Sequence, residues 1–378
     1  MEHDADNERH TAAMPKRTLA QFVGCLLGGA VGDALGAPLD ALSLVEIREL
    51  CGSNGSPTYR PVFDRSGSIT SCTQLTLFTA EGFLRADNRY RDRGICNPYP
   101  VIARAYLRWL VTQGEAYPER IADLLVEDGW LLTNHALHAR RYPSNTCLAA
   151  LRGATSERIA EGPLWADPVN HSRGSAGVSR IAPIGLCAAN PFKFGCTVAA
   201  ITHGHPTGYL AAGFWSALIS FLINGVPLDH AIEQASAKLI AYPHHRRCKQ
   251  AIGRAVGMAA EVQAGSAAAT AEAVESFGRG SNADTAVAIA LFCALVADSF
   301  EHGLALAVQH GGASTRTGTL AGQLLGLRFE QSTWPAHLLD ELELRTEIEQ
   351  IATDMSRHFG SAAEDHQEMQ DWERYPTY

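Results

Sequence analysis

Glycine recurs at a four-residue interval in two distant parts of this chain, at 24, 28 and 32 and again at 318, 322 and 326. On a helix that interval lines one face with hydrogen atoms, so a neighbouring backbone can approach closely. Each interior glycine costs about 1 kcal/mol relative to alanine, and close packing is a compensation that fits. In a bilayer such runs suggest dimerising spans. Here the apolar run Phe22–Gly32 covers eleven residues and stops at Asp33, too short to cross hydrocarbon. Tight packing in a core is the reading we adopt.

The surrounding pattern is helical. Thr18-Leu19-Ala20-Gln21 reads as a capping box, followed by Leu19, Phe22, Val23, Leu26, Leu27 and Ala30 on one face. Ser43-Leu44-Val45-Glu46 is a second box, with Gly52 as the stop. Apolar spacing predicts helices over 74–85, 99–113, 119–140, 145–160, 194–204, 208–224, 228–240, 247–263 and 268–276. Segments 285–299 and 316–327 are almost continuously apolar and read as central helices, and 344–357 is amphipathic. No stretch alternates with period 2. We therefore expect an all-α, compact single domain over 18–360, with a flexible tail at 1–17 and a loosely docked polar tail at 361–378.

Length and an apolar content of 46% are ample for a buried core. The balance of 31 basic and 40 acidic residues, −9 overall, argues against generic nucleic-acid or membrane partners. The cluster His244-His245-Arg246-Arg247 is the exception, read as solvated surface. Nine scattered cysteines without a Cys-x-x-Cys pair suggest reduced thiols and a cytoplasmic protein. The acidic start (Glu2, Asp4, Asp6, Glu8) is unlike a secretory leader.

Four separated segments carry the chemistry. They are Gly24–Asp40, the turn Ile69-Thr70-Ser71-Cys72-Thr73-Gln74, the stretch Ser172-Arg173-Gly174-Ser175-Ala176-Gly177-Val178-Ser179-Arg180 with Thr202-His203-Gly204-His205, and His310-Gly311-Gly312-Ala313-Ser314-Thr315-Arg316-Thr317. In this order they resemble the ADP-ribosylglycohydrolase (dinitrogenase-reductase-activating glycohydrolase-like) family over roughly 19–357, with Leu342–Arg345 supporting the register. The resemblance implies an orthogonal helical bundle of that type. It also implies a binuclear magnesium or manganese site that hydrolyses the glycosidic bond between ADP-ribose and a side chain.

Carried over by position, the implied metal ligands fall at Thr70, Ser71, Cys72, Ala313, Thr315 and Arg316. Carboxylates expected at 71, 72, 313 and 315 are missing, and a guanidinium replaces a hydroxyl at 316. Hard dications need anionic oxygen, and a fixed cation repels them. No metal is therefore expected there, with Thr70, Asp33, Asp40 and Asp284 as the residual candidates. Two readings of Arg316 stay open: neutralising Asp33 or Asp40 or gripping a diphosphate, or standing as a surface arginine at a helix start.

The turn at Gly174, Ser175, Ala176 and Gly177 resembles the family's phosphate-cradling loop, in which successive amides form a nest. His203 and His205, at i, i+2, read as core or pocket-supporting histidines. His135 and His138 read as a solvated helix face rather than a zinc pair, and Cys72 as an inert thiol rather than a nucleophile. In segment 278–287 the family's aromatic and acids become Ser281, Asp284 and Thr285, altering a pocket wall.

The leading expectation is a pseudoenzyme that binds through Asp33, Asp40, Thr70, the 174–177 turn, His203 and Arg316. Its partner would be ADP-ribose, or a protein that carries or transfers ADP-ribose. The rival is a working hydrolase with a rearranged or single Mg2+ or Mn2+ site on Asp33, Asp40 and Asp284. A structural protein with a vestigial pocket is the third.

Overall fold

The two glycine runs meet. In the computed structural model, which describes residues 17–52, 57–119, 121, 128–163, 165–361 and 372–377, helix α1 (Leu19–Gly36) lies antiparallel to a helix at Ser314–Arg328. A methyl group added at Gly24 would stand 2.2 Å from the carbonyl oxygen of Gly326, one at Gly28 2.3 Å from Gly322, and one at Gly32 2.0 Å from Gly318. These approaches exclude any side chain on the shared face. Glycine here serves contact, and the propensity it forfeits is returned by packing.

Around that pair, nineteen α-helices and no β-strand are found among the described residues; two isolated bridges join Val62 to Arg65 and Gly174 to Asn282. After α1 come α2 (Leu44–Cys51), α3 (Ser71–Arg93), α4 (Pro98–Thr112), α5 (Trp130–Thr133), α6 (Asn145–Arg152) and α7 (Ser156–Glu161). Then follow α8 (Ala176–Ser179), α9 (Ala182–Cys187), α10 (Pro191–Ala199), α11 (Pro206–Ile223), α12 (Leu228–Ile240) and α13 (Arg246–Gln263). The series ends with α14 (Ala271–Glu275), α15 (Ala283–Val296), α16 (Phe300–Val308), α17 (Ser314–Arg328), α18 (Ala336–Asp340) and α19 (Arg345–Phe359). The all-α expectation holds.

Local chemistry sets the helix ends. Gln21 Oε1 accepts from Thr18 N at 2.8 Å, and Glu46 Oε2 from Ser43 N at 2.8 Å, so both boxes form. Gly52 follows α2 with φ +78°. Helix α3 runs eight residues past the expected 85, since its polar half is held by pairs such as Arg91–Asp87 at 2.6 Å rather than by apolar spacing. The stretch 145–160 divides at Gly153, where Thr155 caps the new helix by accepting from Arg158 N at 3.3 Å. Over 119–140 the long helix is not found among the described residues, part of the stretch lying outside them. Gly129 at φ +103° starts the one-turn α5, and Asn134 then caps a 3-10 turn.

Core helices α1, α11 and α15 are apolar nearly all round and buried, whereas α17 is mostly buried although it carries Thr315, Arg316, Thr317, Thr319 and Gln323. Two segments, Leu19–Leu39 and Pro206–Ile223, are long and apolar enough to span a bilayer by length and composition, and most of each is buried inside the fold. The first runs on through Asp33, past the limit expected from the sequence. A polar cross-link ties the centre together: Gln323 accepts from Trp215 Nε1 at 2.8 Å and donates to Ser179 O at 2.9 Å.

Both expected tails contribute contacts. Arg17 donates to Asn224 Oδ1 at 2.9 Å; residues 1–16 lie outside the described residues. Residues 372–377 are not loosely docked. Tyr375 is fully buried, its hydroxyl donates to Asp354 at 2.8 Å, and Asn88 and Arg85 donate to the carbonyls of Tyr375 and Pro376. One aromatic ring with matched polar partners outweighs the polarity that suggested a free end.

Gly28→Ala should destabilise the protein by about 3 kcal/mol or more through forced separation of α1 and α17. Gly253→Ala, on α13 with open space around it, should stabilise by about 1 kcal/mol. Chemical denaturation of the two variants checks the contrast; equal effects would mean that the glycine face is not under steric compulsion.

Candidate functional site

Because α1 and α17 are locked face to face, the end of α1 delivers Asp33 and Asp40 to the starts of α3 and α17. Asp33 is fully buried and takes four hydrogen bonds there. Thr70 N (2.8 Å), Thr73 N (3.1 Å) and Thr73 Oγ1 (2.7 Å) donate to Oδ2, and Thr70 Oγ1 (2.6 Å) donates to Oδ1. A buried carboxylate at a helix N-terminus is stabilised by those amides and by the helix dipole. Burial nevertheless pushes its pKa up to about 6, with the four hydrogen bonds pulling the other way. Asp40 plays the same part for α17, accepting from Thr315 N at 3.2 Å and Thr315 Oγ1 at 2.9 Å.

The expected metal-ligand positions lie at these two helix starts. Thr70 caps α3 by accepting from Cys72 N at 3.2 Å. Ser71 is turned aside: its hydroxyl donates to Tyr142 O at 3.1 Å and its amide to Arg141 O at 2.8 Å. Cys72 is buried, and burial pushes its thiol up to about 12, with Asp33 adding to the rise and Arg316 opposing it. A thiol held protonated in this way is not a nucleophile. Ala313 precedes α17 without a cap, and Thr315 is committed to Asp40.

Arg316 is half-buried among these groups. Its closest ionic partner is Asp40 at 3.9 Å, and no direct hydrogen bond to it is found among the described residues. Burial works against its charge, but Cys72, Asp40, Cys147 and Asp33 around it more than compensate and raise its pKa. It is not a surface arginine at a helix start. Asp284 is elsewhere engaged: Arg247 Nε donates to it at 2.6 Å, and its influence falls on His205 and Cys248. Among the described residues no three His, Cys, Asp or Glu side chains gather as a metal site would require.

The 174–177 turn is stapled to the chain before α15. Ser175 N donates to Ser281 O at 3.0 Å and Ala283 N to Arg173 O at 2.9 Å, while Gly174 N uses Ser172 Oγ at 3.3 Å. Two amides of the expected nest are thus already used. The glycines admit His203 instead, since a methyl group at Gly174 would stand 3.2 Å from Nε2 and one at Gly177 3.0 Å from Nδ1.

His203 belongs to a network that sequence reasoning missed. Arg180 is fully buried without a carboxylate partner among the described residues; it donates to Thr202 Oγ1 at 2.7 Å and to Cys147 Sγ at 3.4 Å, and lies 4.2 Å over the Tyr106 ring. Thr202 Oγ1 also hydrogen-bonds His203 Nδ1 at 2.8 Å. His203 Nε2 is buried and without a hydrogen-bond partner among the described residues. Burial, with Arg180 and Arg316 adding, pulls the His203 pKa down to about 3, so the ring is neutral. No local pattern marks Arg180, because cation–π burial leaves no spacing signature. Glu343 is a second omission: it accepts from Ile69 N at 3.1 Å and Arg141 at 3.2 Å, anchoring the turn before α3. His138 Nε2 donates to Leu132 O at 2.6 Å, a local backbone contact.

The sequence profile of the ADP-ribosylglycohydrolase family matches residues 14–365. This chain belongs to the ADP-ribosylglycohydrolase family. An uncharacterized protein of Archaeoglobus fulgidus is 25% identical over 341 residues, covering 88% of this chain and 95% of the relative. A solved structure titled "ADP-ribosylglycohydrolase-related protein complex" superposes with a TM-score of 0.60 at 21% identity, over 91% of this chain and 99% of that one. That structure shares the fold of this family member.

The Asp33 carboxyl gives a pH signature. Between about pH 4 and 6 the native state holds a proton that the unfolded chain, with a pKa of 3.8, has released. Stability should therefore fall as pH rises through this window, by about 3 kcal/mol from this group. Denaturation of wild type and Asp33→Asn in chelator, from pH 4 to 7, checks this; parallel curves would refute it.

Proposed function

We propose that this family member binds ADP-ribose, or a protein that carries or transfers it, and does not hydrolyse the glycosidic bond with paired metals. The observation that carries the reading is Arg316, a charged guanidinium among Thr70, Cys72 and Thr315 with only a 3.9 Å contact to Asp40. The residues present do not fit two divalent ions. Asp33 already accepts four hydrogen bonds, Asp40 faces Thr315 and Arg316, and the remaining groups are hydroxyls and a protonated thiol. Placing two dications beside Arg316 would add repulsion, with only the already engaged carboxylates of Asp33 and Asp40 to offset it. The guanidinium instead suits a diphosphate, which it can meet with two parallel hydrogen bonds.

The rival reading, a hydrolase with a single metal on Asp33, Asp40 and Asp284, gains no support from Asp284 paired with Arg247. We place the protein in the cytoplasm, in keeping with nine unpaired cysteine thiols.

Calorimetry of ADP-ribose with the wild-type protein should give the same affinity in Mg2+ and in chelator, and Arg316→Ala should lower it about tenfold or more. Neither arginine-linked nor serine-linked ADP-ribose should be released. The combined variant Ser71→Asp, Cys72→Asp, Ala313→Asp, Thr315→Asp and Arg316→Ser tests the charge argument, and its binding should become metal-dependent. Magnesium-stimulated release by the wild type, or no binding of ADP-ribose at all, would overturn the proposal.

A further inference from the structure

Cations gather on the surface beside the 172–177 turn of this acidic protein. Several surface arginines elsewhere are paired, as in Arg48–Glu272 and Arg152–Glu115, while Arg254, Arg279, Arg328 and Lys238 are exposed without an ion pair among the described residues but stand apart from an aromatic hollow. Arg173, Lys193, Arg246 and Lys249 are exposed and form no ion pair among the described residues. Three elements bring these cations to one region. Cys248 Sγ contacts Thr207 O at 3.6 Å, joining the first turns of α13 and α11, and Arg173 packs against Gly208. His205, at the start of α11, feels Arg173, Arg247 and His171 together, with Asp284 acting against them. That acid is buried and matched to Arg247 at 2.6 Å.

An aromatic notch opens on the same first turn of α11. Trp165 is 54% exposed, its ring edge-on to Tyr209 at 4.8 Å, and with Tyr242 and Lys193 these rings border a hollow of about 290 Å³. That is the small end of ligand pockets, sized for one ring system. Pro243 lines it too, and the next residues are His244, His245 and Arg246. Flat apolar walls and unpaired cations are thus contiguous.

We propose that this surface binds single-stranded nucleic acid, with a base against Trp165 and Tyr209 and the following phosphates on Arg173, Arg246 and Lys249. Stacking supplies a sequence-tolerant hold, and cations track the backbone. The overall charge of −9 that argued against such a partner averages over a surface whose cations are unevenly paired. The inference does not rest on the reading of the Arg316 cleft.

Fluorescence anisotropy of the full-length protein with a labelled 12-nucleotide single-stranded DNA, at low and tenfold higher salt, tests it. Binding should weaken roughly a hundredfold over that range if three phosphates are contacted. Trp165→Ala should lower affinity about tenfold without changing the salt slope, and Trp165→Phe should restore most of it. Arg173→Glu with Arg246→Glu should lower affinity and flatten the slope. No binding up to about 100 µM protein, the weak end of nonspecific association, would overturn the proposal. So would an unchanged affinity in Trp165→Ala, or displacement by polyglutamate as effective as by unlabelled strand, since the surface would then read acidic charge alone.

Discussion

The contact between α1 and α17 sets everything else. Two backbones that touch along four successive turns leave no freedom in register, because sliding by one residue would drive a side chain into the opposing carbonyls. The register in turn fixes where α1 releases Asp33 and the Asp40 turn, and where α17 begins. Cleft geometry is therefore inherited from a pairing built mainly on glycine backbone, with the Gln323 side chain against Gly29. Core rigidity and site precision are one property here.

Within the cleft, the two acids brought by α1 have a structural duty. Each gathers the orphan amides of a helix start and adjacent threonine hydroxyls. A carboxylate so engaged holds the fold together, and drawing it onto a cation would expose those amides. The positive groups, Arg316 and Arg180, are less fully matched; Arg180 relies on a hydroxyl, a thiol and an aromatic face.

How much of this was legible in the sequence follows from the range of the interactions. Capping boxes at Thr18 and Ser43 and the bounds of α12 were readable because they depend on neighbours three or four residues away. The glycine runs foretold a close approach, though not that they would meet each other. Helix α16 was missed despite its Ser299 cap, because its short apolar run lacks a clear polar face. Asp33, Asp40, Cys72 and Arg316 were placed in one cleft from motif order. Order says nothing about the arginine 37 residues earlier that pairs with Asp284. Arg180, Thr202 and Glu343 depend on contacts across the chain, which no local window contains.

Tyr375 carries a consequence for how the molecule is made. Its slot is walled by α3 and α19, and Asp354 waits inside it, fully buried, for Tyr375 and Arg374. Every wall of that slot leaves the ribosome before the ring that fills it. Without residues 372–377, Asp354 would keep Gln350 and Arg357 from its own helix and would face water through an open slot.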